Sequence, residues 1–181
     1  MSELTVGSRY AKSLIDLAQE QEIVDVIKAD MDLFLHTLKG SPELKAVLSN
    51  PIIAHIKKIK ILDEVFLGKV NKATIAFFKL MVNKGRGEVL YTTAVEYINL
   101  YNIKRHITTA KVTSATKLSA ANEKTIVAEV QKAVGGTVIL EARVDPSLIG
   151  GFVLTVGDRQ VDTSIAASLK KLKKEFAEQA V

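Results

Sequence analysis

The spacing of apolar residues changes once along this 181-residue chain, near Arg105. Up to that point apolar residues recur at three- and four-residue steps, which is typical of amphipathic helices. After it, short segments rich in β-branched residues alternate apolar with polar positions, which is typical of half-buried strands. The change predicts an α+β protein in two parts: an N-terminal six-helix bundle in residues 1–105 and a small α/β domain in residues 106–181.

Short connections join the six helices predicted in the first part. Ser41 followed by Pro42 predicts one helix start, and Asn71 predicts the cap of the fifth helix, at about residues 72–84. That fifth helix is apolar on nearly all sides, so we expect it to be central or covered by something else. Mutual burial is the ordinary explanation of the apolar faces. The alternative is that the first and fifth helices leave a groove for a partner helix.

The second part is predicted to run strand, helix, three strands, helix. Ser119 should cap its first helix, at about residues 120–134, and Asp162 should cap its last. The last helix has an apolar stripe at helical spacing, formed by Ile165, Leu169, Leu172 and Phe176. A unit of this size has a small core and can depend on a neighbour or a partner for stability.

The stretch between Val144 and Leu169 connects the last strands to the last helix. Its turn signals are Asp145-Pro146-Ser147, Gly150-Gly151 and the two-residue hairpin signal Gly157-Asp158. Glycines that open a strand often mark a close approach of two backbones. We therefore expect these glycines to be architectural, with Gly151 and Gly157 as the positions where a side chain would not fit.

The sequence contains no set of residues that supports catalysis, a cofactor or a metal site. The absence of cysteine excludes disulfides, thiol catalysis and cysteine-ligated zinc. The three histidines are far apart, and only His36 has a carboxylate, Asp32, one helical turn away. The glycine pair precedes a strand and lacks the spacing of a dinucleotide-binding loop. An interaction protein is therefore expected rather than an enzyme.

A net charge of +5 raises nucleic-acid binding as an alternative function. The charge is mixed, however: residues 1–105 carry 15 basic and 12 acidic side chains, and residues 106–181 carry 10 and 8. The densest basic group, on the last helix, consists of Lys170, Lys171, Lys173 and Lys174. Aromatic residues do not interleave with it, so base stacking is poorly supplied. Such a cluster is usually a solvated face, and it can also dock an acidic partner.

Membrane insertion is not expected. No apolar segment approaches the roughly 18 residues of a membrane span. The N-terminal residues lack the basic and apolar regions of a signal peptide. Any association with a membrane is therefore expected to go through a partner.

Segments distributed over the whole chain carry a family resemblance. They are Arg9–Leu14, Leu48–Ile52, Lys60–Leu62, Leu80–Arg86 and, most specifically, Val144-Asp145, Leu148–Phe152, Gly157-Asp158, Asp162, Ser164 and Leu169. Together they resemble the δ subunit family of bacterial F-type ATP synthase, the counterpart of the mitochondrial oligomycin-sensitivity-conferring protein. The sequence departs from the family pattern at Thr155, Thr163 and Ala166-Ala167, which leaves polar contacts at these positions open.

The resemblance implies a non-catalytic clamp that needs no cofactor. In the family, helices one and five of the bundle bind the N-terminal helix of an α subunit of the catalytic head. The C-terminal part meets the b-type subunits of the peripheral stalk. Such a clamp resists rotor torque during ATP synthesis. The resemblance also implies a peripheral position on the cytoplasmic side of the bacterial inner membrane and no nucleic-acid partner.

Three sets of site residues follow from the resemblance and the patterns above. The groove candidates are Tyr10, Ala11, Leu14, Ile15, Ala18, Phe77, Phe78, Met81 and Val82. The C-terminal structural motif comprises Asp145, Gly150, Gly151, Gly157, Asp158, Asp162 and Leu169. The possible stalk-docking residues are Lys170, Lys171, Lys173 and Lys174.

Overall fold

The structure is a computed structural model, which describes residues 3–179 of the chain. The chain divides into two compact units, the first ending at Asn102 and the second beginning at Ile103. Within the described residues the first unit is helical, and the second combines helices with a four-stranded sheet. The predicted α+β fold class is confirmed.

Six helices build the first unit and pack around one apolar core. Their bounds are α1 (Glu3–Glu20), α2 (Val24–Gly40), α3 (Pro42–Ser49), α4 (His55–Phe66), α5 (Lys72–Asn83) and α6 (Leu90–Lys104), with a 3-10 turn at Gly87–Val89. Three phenylalanines, Phe34, Phe66 and Phe78, meet in the core with ring centroids 4.6, 5.4 and 6.1 Å apart. Each is at most 1% exposed, so these rings bind α2, α4 and α5 together.

A buried carboxylate fixes the start of α5 against α2. Asp30 is 7% exposed, and its Oδ2 accepts hydrogen bonds from the backbone N of Asn71 at 2.9 Å and from Oγ1 of Thr74 at 2.5 Å. The Oδ1 of Asn71 accepts from the backbone N of Ala73 at 2.9 Å, which confirms the predicted cap. The buried carboxylate of Asp30 thus has hydrogen-bond partners, and its two bonds hold the first turn of α5 against α2.

The predicted capping role of Ser41 is wrong. Its side chain makes no capping hydrogen bond to α3, although Pro42 does begin that helix. Instead, the backbone N–H of Ser41 donates to the carbonyl of Thr37 at 3.0 Å, closing the end of α2. Ser41 lies between the two helices, and the capping bond that it makes is the backbone bond to the end of α2.

In the second unit one sheet carries a helix on one face. Its elements are β1 (Ile107–Ser114), α7 (Ala120–Val134), β2 (Thr137–Val144), β3 (Phe152–Val156), β4 (Arg159–Asp162) and α8 (Ile165–Gln179). The strand order is β2-β1-β3-β4, with β1 and β2 parallel and the other pairs antiparallel. Helix α7 is the crossover that a parallel pair requires. It starts at Ser119, whose Oγ accepts from the backbone N of Asn122 at 3.2 Å, as predicted.

The core of the second unit is small. Its buried apolar cluster consists of Ala110, Val130 and Val138, with partly buried neighbours from α7, β2 and β3. The described side chains of α8, up to residue 176, do not belong to this cluster, and residues 168–176 are all exposed. A large share of the apolar surface of this unit is therefore left uncovered.

Candidate functional site

Most of the residues predicted to line a groove lie inside the bundle. Seven of the nine are at most 1% exposed, namely Ala11, Leu14, Ile15, Ala18, Phe78, Met81 and Val82. They belong to the core cluster of the first unit. Mutual burial therefore explains these seven, and they offer no surface to a partner as the bundle stands.

Tyr10 and Phe77, the other two candidates, are partly exposed and in contact. Their rings meet edge to face, with centroids 6.5 Å apart and planes at 70°. This contact joins α1 to α5 at the surface of the bundle. The first and fifth helices are thus adjacent, as the predicted groove requires. Of the residues predicted to line that groove, only Tyr10 and Phe77 lie at the surface between them.

Apolar side chains continue from this aromatic pair along both helices. On α1, Val6, Tyr10 and Leu17 follow one another at helical spacing, and on α5 so do Ala73, Phe77 and Leu80. Leu17 is 38% exposed and Leu80 49%. We call these six residues the α1–α5 surface. Leu17 and Leu80 were absent from the predicted set, and no sequence signal separated them from core leucines.

Basic side chains border one end of the α1–α5 surface. A cleft of about 230 Å³ opens there between α1 and the turn that follows α5. It is lined by Val6, Arg9, Tyr10, Ser13 and Arg86. An apolar stripe with a cationic rim is suited to an amphipathic helix that carries an acidic residue at its edge.

Two of the three aspartates of the C-terminal motif, Asp145 and Asp162, organise turns. Oδ1 of Asp145 accepts from the backbone N of Ser147 at 3.0 Å, and Oδ1 of Asp162 accepts from the backbone N of Ser164 at 2.9 Å. These hydrogen bonds to the ionised form lower the pKa of each carboxyl below its usual value. Asp162 was predicted to cap α8, and this prediction is wrong. That role falls to Ser164, whose Oγ accepts from the backbone N of Ala167 at 3.2 Å.

The glycines of the motif have different reasons for being glycine. Gly151 has φ +74°, and a Cβ on it would lie 2.3 Å from the carbonyl oxygen of Thr163, so a side chain cannot fit. Gly157 also has a positive φ, +58°, but no atom lies within 4 Å of its Cβ position, so the predicted lack of space is wrong there. At Gly150 a Cβ would meet the flexible end of Ile165 at 2.6 Å. Gly157 and Asp158 form the tight connection between β3 and β4.

Helix α8 exposes an apolar stripe as well as its lysines. Ile165, Leu169, Leu172 and Phe176 are 48%, 52%, 47% and 69% exposed. The four lysines predicted to dock the stalk lie on the remaining faces, and Lys171 pairs with Glu175 at 3.9 Å. The stripe was recognised from the sequence, but its exposure was not, because helical spacing alone does not show whether a neighbour covers it.

The described part of the chain shows neither a cluster of metal ligands nor a membrane-spanning helix. Among residues 3–176, whose side chains the structure describes, no group of three or more histidine or acidic side chains is placed to hold a metal ion. No helix among the described residues is both long enough and apolar enough to cross a bilayer.

Comparison with known proteins identifies the family. The profile of the family described as ATP synthase delta (OSCP) subunit matches residues 6–176. ATP synthase subunit delta of Cytophaga hutchinsonii is 38% identical over 184 residues, covering 100% of this chain and 99% of the relative. ATP synthase subunit delta of Flavobacterium johnsoniae is 34% identical, covering 98% and 99%.

A solved structure shares the fold. A chain of the Toxoplasma gondii mitochondrial ATP synthase hexamer superposes with a TM-score of 0.72 at 23% identity, covering 94% of this chain and 97% of that chain. The family match spans nearly the full length and both units. The chain therefore belongs to the ATP synthase delta (OSCP) subunit family, and it is a non-catalytic subunit of the peripheral stalk of F-type ATP synthase.

Proposed function

We propose that this chain clamps the catalytic head to the stalk through two docking surfaces, one in each part. The α1–α5 surface, within residues 1–105, takes the N-terminal helix of an α subunit. The exposed stripe of α8, within residues 106–181, takes the b-type stalk subunits. The observation that carries the proposal is that each part exposes an apolar stripe at helical spacing, through Leu17 and Leu80 in the first and through Leu169 and Phe176 in the second.

The α1–α5 surface has the properties of a groove for a helix. Its apolar side chains repeat at helical spacing on two adjacent helices, which matches the anchors of a helix laid between them. The Tyr10–Phe77 pair lies within it and offers a large apolar contact area. Tyrosine and other aromatic residues often carry a large share of the binding energy in such interfaces.

Helix α8 has the properties of one half of a helix pair. Its stripe residues follow steps of four, three and four, the a/d spacing of a coiled coil. An isolated helix of about 15 residues is marginally stable in water, so a partner that covers the stripe would also stabilise α8. The flanking lysines favour a partner helix with acidic side chains beside its own apolar seam.

The resulting mechanism is mechanical. The head tends to rotate with the central rotor, and a subunit attached to both head and stalk holds the head still during ATP synthesis. Association with the membrane goes through the complex, on the cytoplasmic side of the bacterial inner membrane. Support for that location comes from the bacterial origin of the two relatives with the highest identity reported above. Nucleic-acid binding gains no support from the two proposed docking surfaces, which are apolar stripes bordered by basic side chains rather than a basic groove.

The head contact can be tested by calorimetry with the full chain and a peptide from the cognate α-subunit N-terminus. Leu17→Asp and Leu80→Asp each place a charge in the proposed contact and should weaken binding at least about tenfold. Ile52→Asp is the matched control, because Ile52 is 89% exposed and lies outside the α1–α5 surface. Equal affinities for all three variants would contradict the assignment.

A further inference from the structure

The segment that leads into α8, from Thr163 to Ile165, is held to the start of β3 and the residues before it by three hydrogen bonds. The carbonyl of Phe152 accepts from both the backbone N and Oγ1 of Thr163, at 3.0 and 2.9 Å. The carbonyl of Gly150 accepts from the backbone N of Ile165 at 3.0 Å. Ser164, which caps α8, is only 1% exposed. The helix is thus exposed along its length but tightly bonded where it begins.

The glycine pair permits this contact. A Cβ on Gly151 would lie 2.3 Å from the carbonyl oxygen of Thr163 and 3.1 Å from Cα of Ser164. The two backbones therefore touch at a distance that only glycine allows. Gly151 is also bonded to the residue that follows β1, because its carbonyl accepts from the backbone N of Ala115 at 3.4 Å.

The turn before the glycine pair is strained. Ile149 has φ +66° and ψ −43°, and the backbone N of Gly150 donates to the carbonyl of Leu148 at 2.7 Å around it, which makes a γ-turn. A β-branched residue with positive φ is unfavourable. The side chain is 63% exposed, so burial in a core does not offset that cost. Strain that persists in this way is a reason to look for a function.

We propose that Ile149–Gly151 and Asp162–Ser164 form a rigid joint that fixes the direction of α8 relative to the sheet, and that stalk docking depends on this direction. The inference rests on the proposed docking of the stalk to α8. A flexible hinge would have few bonds and open space around its backbone. Here Gly150 is bonded to Ile165, Phe152 is bonded to Thr163, and the backbone of Gly151 contacts that of Thr163. A helix already held in its bound direction loses less conformational freedom on binding.

The same geometry suits a connection under torque. If α8 could swing at its first turn, rotation of the head would be taken up by that swing before it reached the stalk. The residues of the joint are therefore positioning residues, which act on the partner only through α8. The apolar stripe provides the contact, and the joint provides its direction.

Distance measurements on the full chain test the rigidity. Because the chain has no cysteine, spin labels can be placed at Lys171→Cys on α8 and Lys111→Cys on β1, both exposed positions. We expect one narrow distance distribution. Gly151→Ala should broaden or displace it. Gly157→Ala is the matched control, since it has a similar positive φ and no neighbour within 4 Å. A Gly151→Ala distribution as narrow as that of the control, at the same distance, overturns the joint.

Binding measurements test the dependence of docking on direction. With the cognate b-type stalk subunits as probe, Gly151→Ala should bind about tenfold more weakly and Gly157→Ala like the unchanged chain. If Gly151→Ala alters the distance distribution but leaves the affinity for the stalk subunits unchanged, docking does not depend on the direction of α8. If Gly151→Ala fails to fold, Thr163→Val and Asp162→Ala replace it, because each removes one side-chain bond of the joint at an exposed position.

Leu169→Asp separates this inference from the proposed docking. It changes the stripe but not the joint, so stalk binding should fall while the distance distribution stays narrow. Unchanged binding by Leu169→Asp would show that α8 is not the docking surface, and would overturn the dependence with it. The rigidity of the joint would still be decided by the distances alone.

Discussion

Replacing Ala11 by aspartate should strongly destabilise the bundle, whereas the same charge six residues further along the helix should not. Ala11 is 0% exposed and lies in the core cluster, while Leu17 on the same helix is 38% exposed. From the predicted groove alone, Ala11→Asp would be expected to block the α-subunit contact in a folded protein. The structure instead makes it a core substitution, and Leu17→Asp the substitution that tests binding.

The two substitutions should lower the free energy of unfolding by clearly different amounts. An ionised carboxylate that is buried without a partner costs several kcal/mol, and the added volume at a well-packed position costs about 1–3 kcal/mol more. Ala11→Asp should therefore lower the free energy of unfolding by roughly 4 kcal/mol or more, out of a typical total of about 5–15 kcal/mol. Leu17→Asp keeps its carboxylate in water and loses only part of the burial of one leucine, about 1 kcal/mol.

Urea unfolding, followed by the helical circular dichroism signal, measures the loss of unfolding free energy for both variants. Ala11→Asn is the control that separates charge from size, and it should fall between the unchanged chain and Ala11→Asp. The binding assay then gives the opposite order, because Leu17→Asp should remain folded and lose affinity for the α-subunit peptide. If Ala11→Asp unfolds at the same urea concentration as Leu17→Asp, the burial of Ala11 and the reasoning built on it are refuted.

Three further outcomes are expected for the first unit. Phe78→Ala should cost about 3–5 kcal/mol in urea unfolding, because it opens a cavity among three packed rings; a loss below 1 kcal/mol would contradict that packing. Asn71→Ala should cost about 1 kcal/mol by removing the cap of α5, and Asn71→Ser should recover most of it. Burial lowers the pKa of Lys58, and the charge of Glu88 opposes that shift. Between the lowered value and the usual value of 10.5 the unfolded chain binds more protons, so unfolding free energy should rise with pH there, and Lys58→Met should flatten this rise.

Local patterns were sufficient for the elements of the fold. Asn71 and Ser119 cap helices as predicted, because a cap depends on backbone groups two or three residues away. The hairpin at Gly157-Asp158 is likewise present, with Val156 paired to Arg159. Ser41 and Asp162 do not cap their helices. The side chain of Ser41 makes no capping bond, and Asp162 accepts from the backbone N of Ser164, the residue that caps α8. Family and function were also within reach of the sequence, since the resemblance extended over its whole length.

The docking surfaces were only partly predictable. Helix α1 has apolar residues on two faces, and the prediction assigned one groove to a mixture of both. Ala11 and Leu14 face the core, whereas Tyr10 and Leu17 face outward. Helical spacing identifies residues that share a face but not what covers that face. The choice between core and groove is made by the other helices of the bundle.

The amino-acid sequence by itself determined the order and type of the elements, the two-part organisation of the pattern and the family. These depend on periodicity and on contacts over a few residues, which a linear chain displays directly. Only the tertiary structure decided which apolar residues remain uncovered and which atoms exclude a side chain at Gly151. Both depend on atoms distant in sequence: the packing of neighbouring helices around α1 and α5, and the carbonyl of Thr163 lying 2.3 Å from where a Cβ would be.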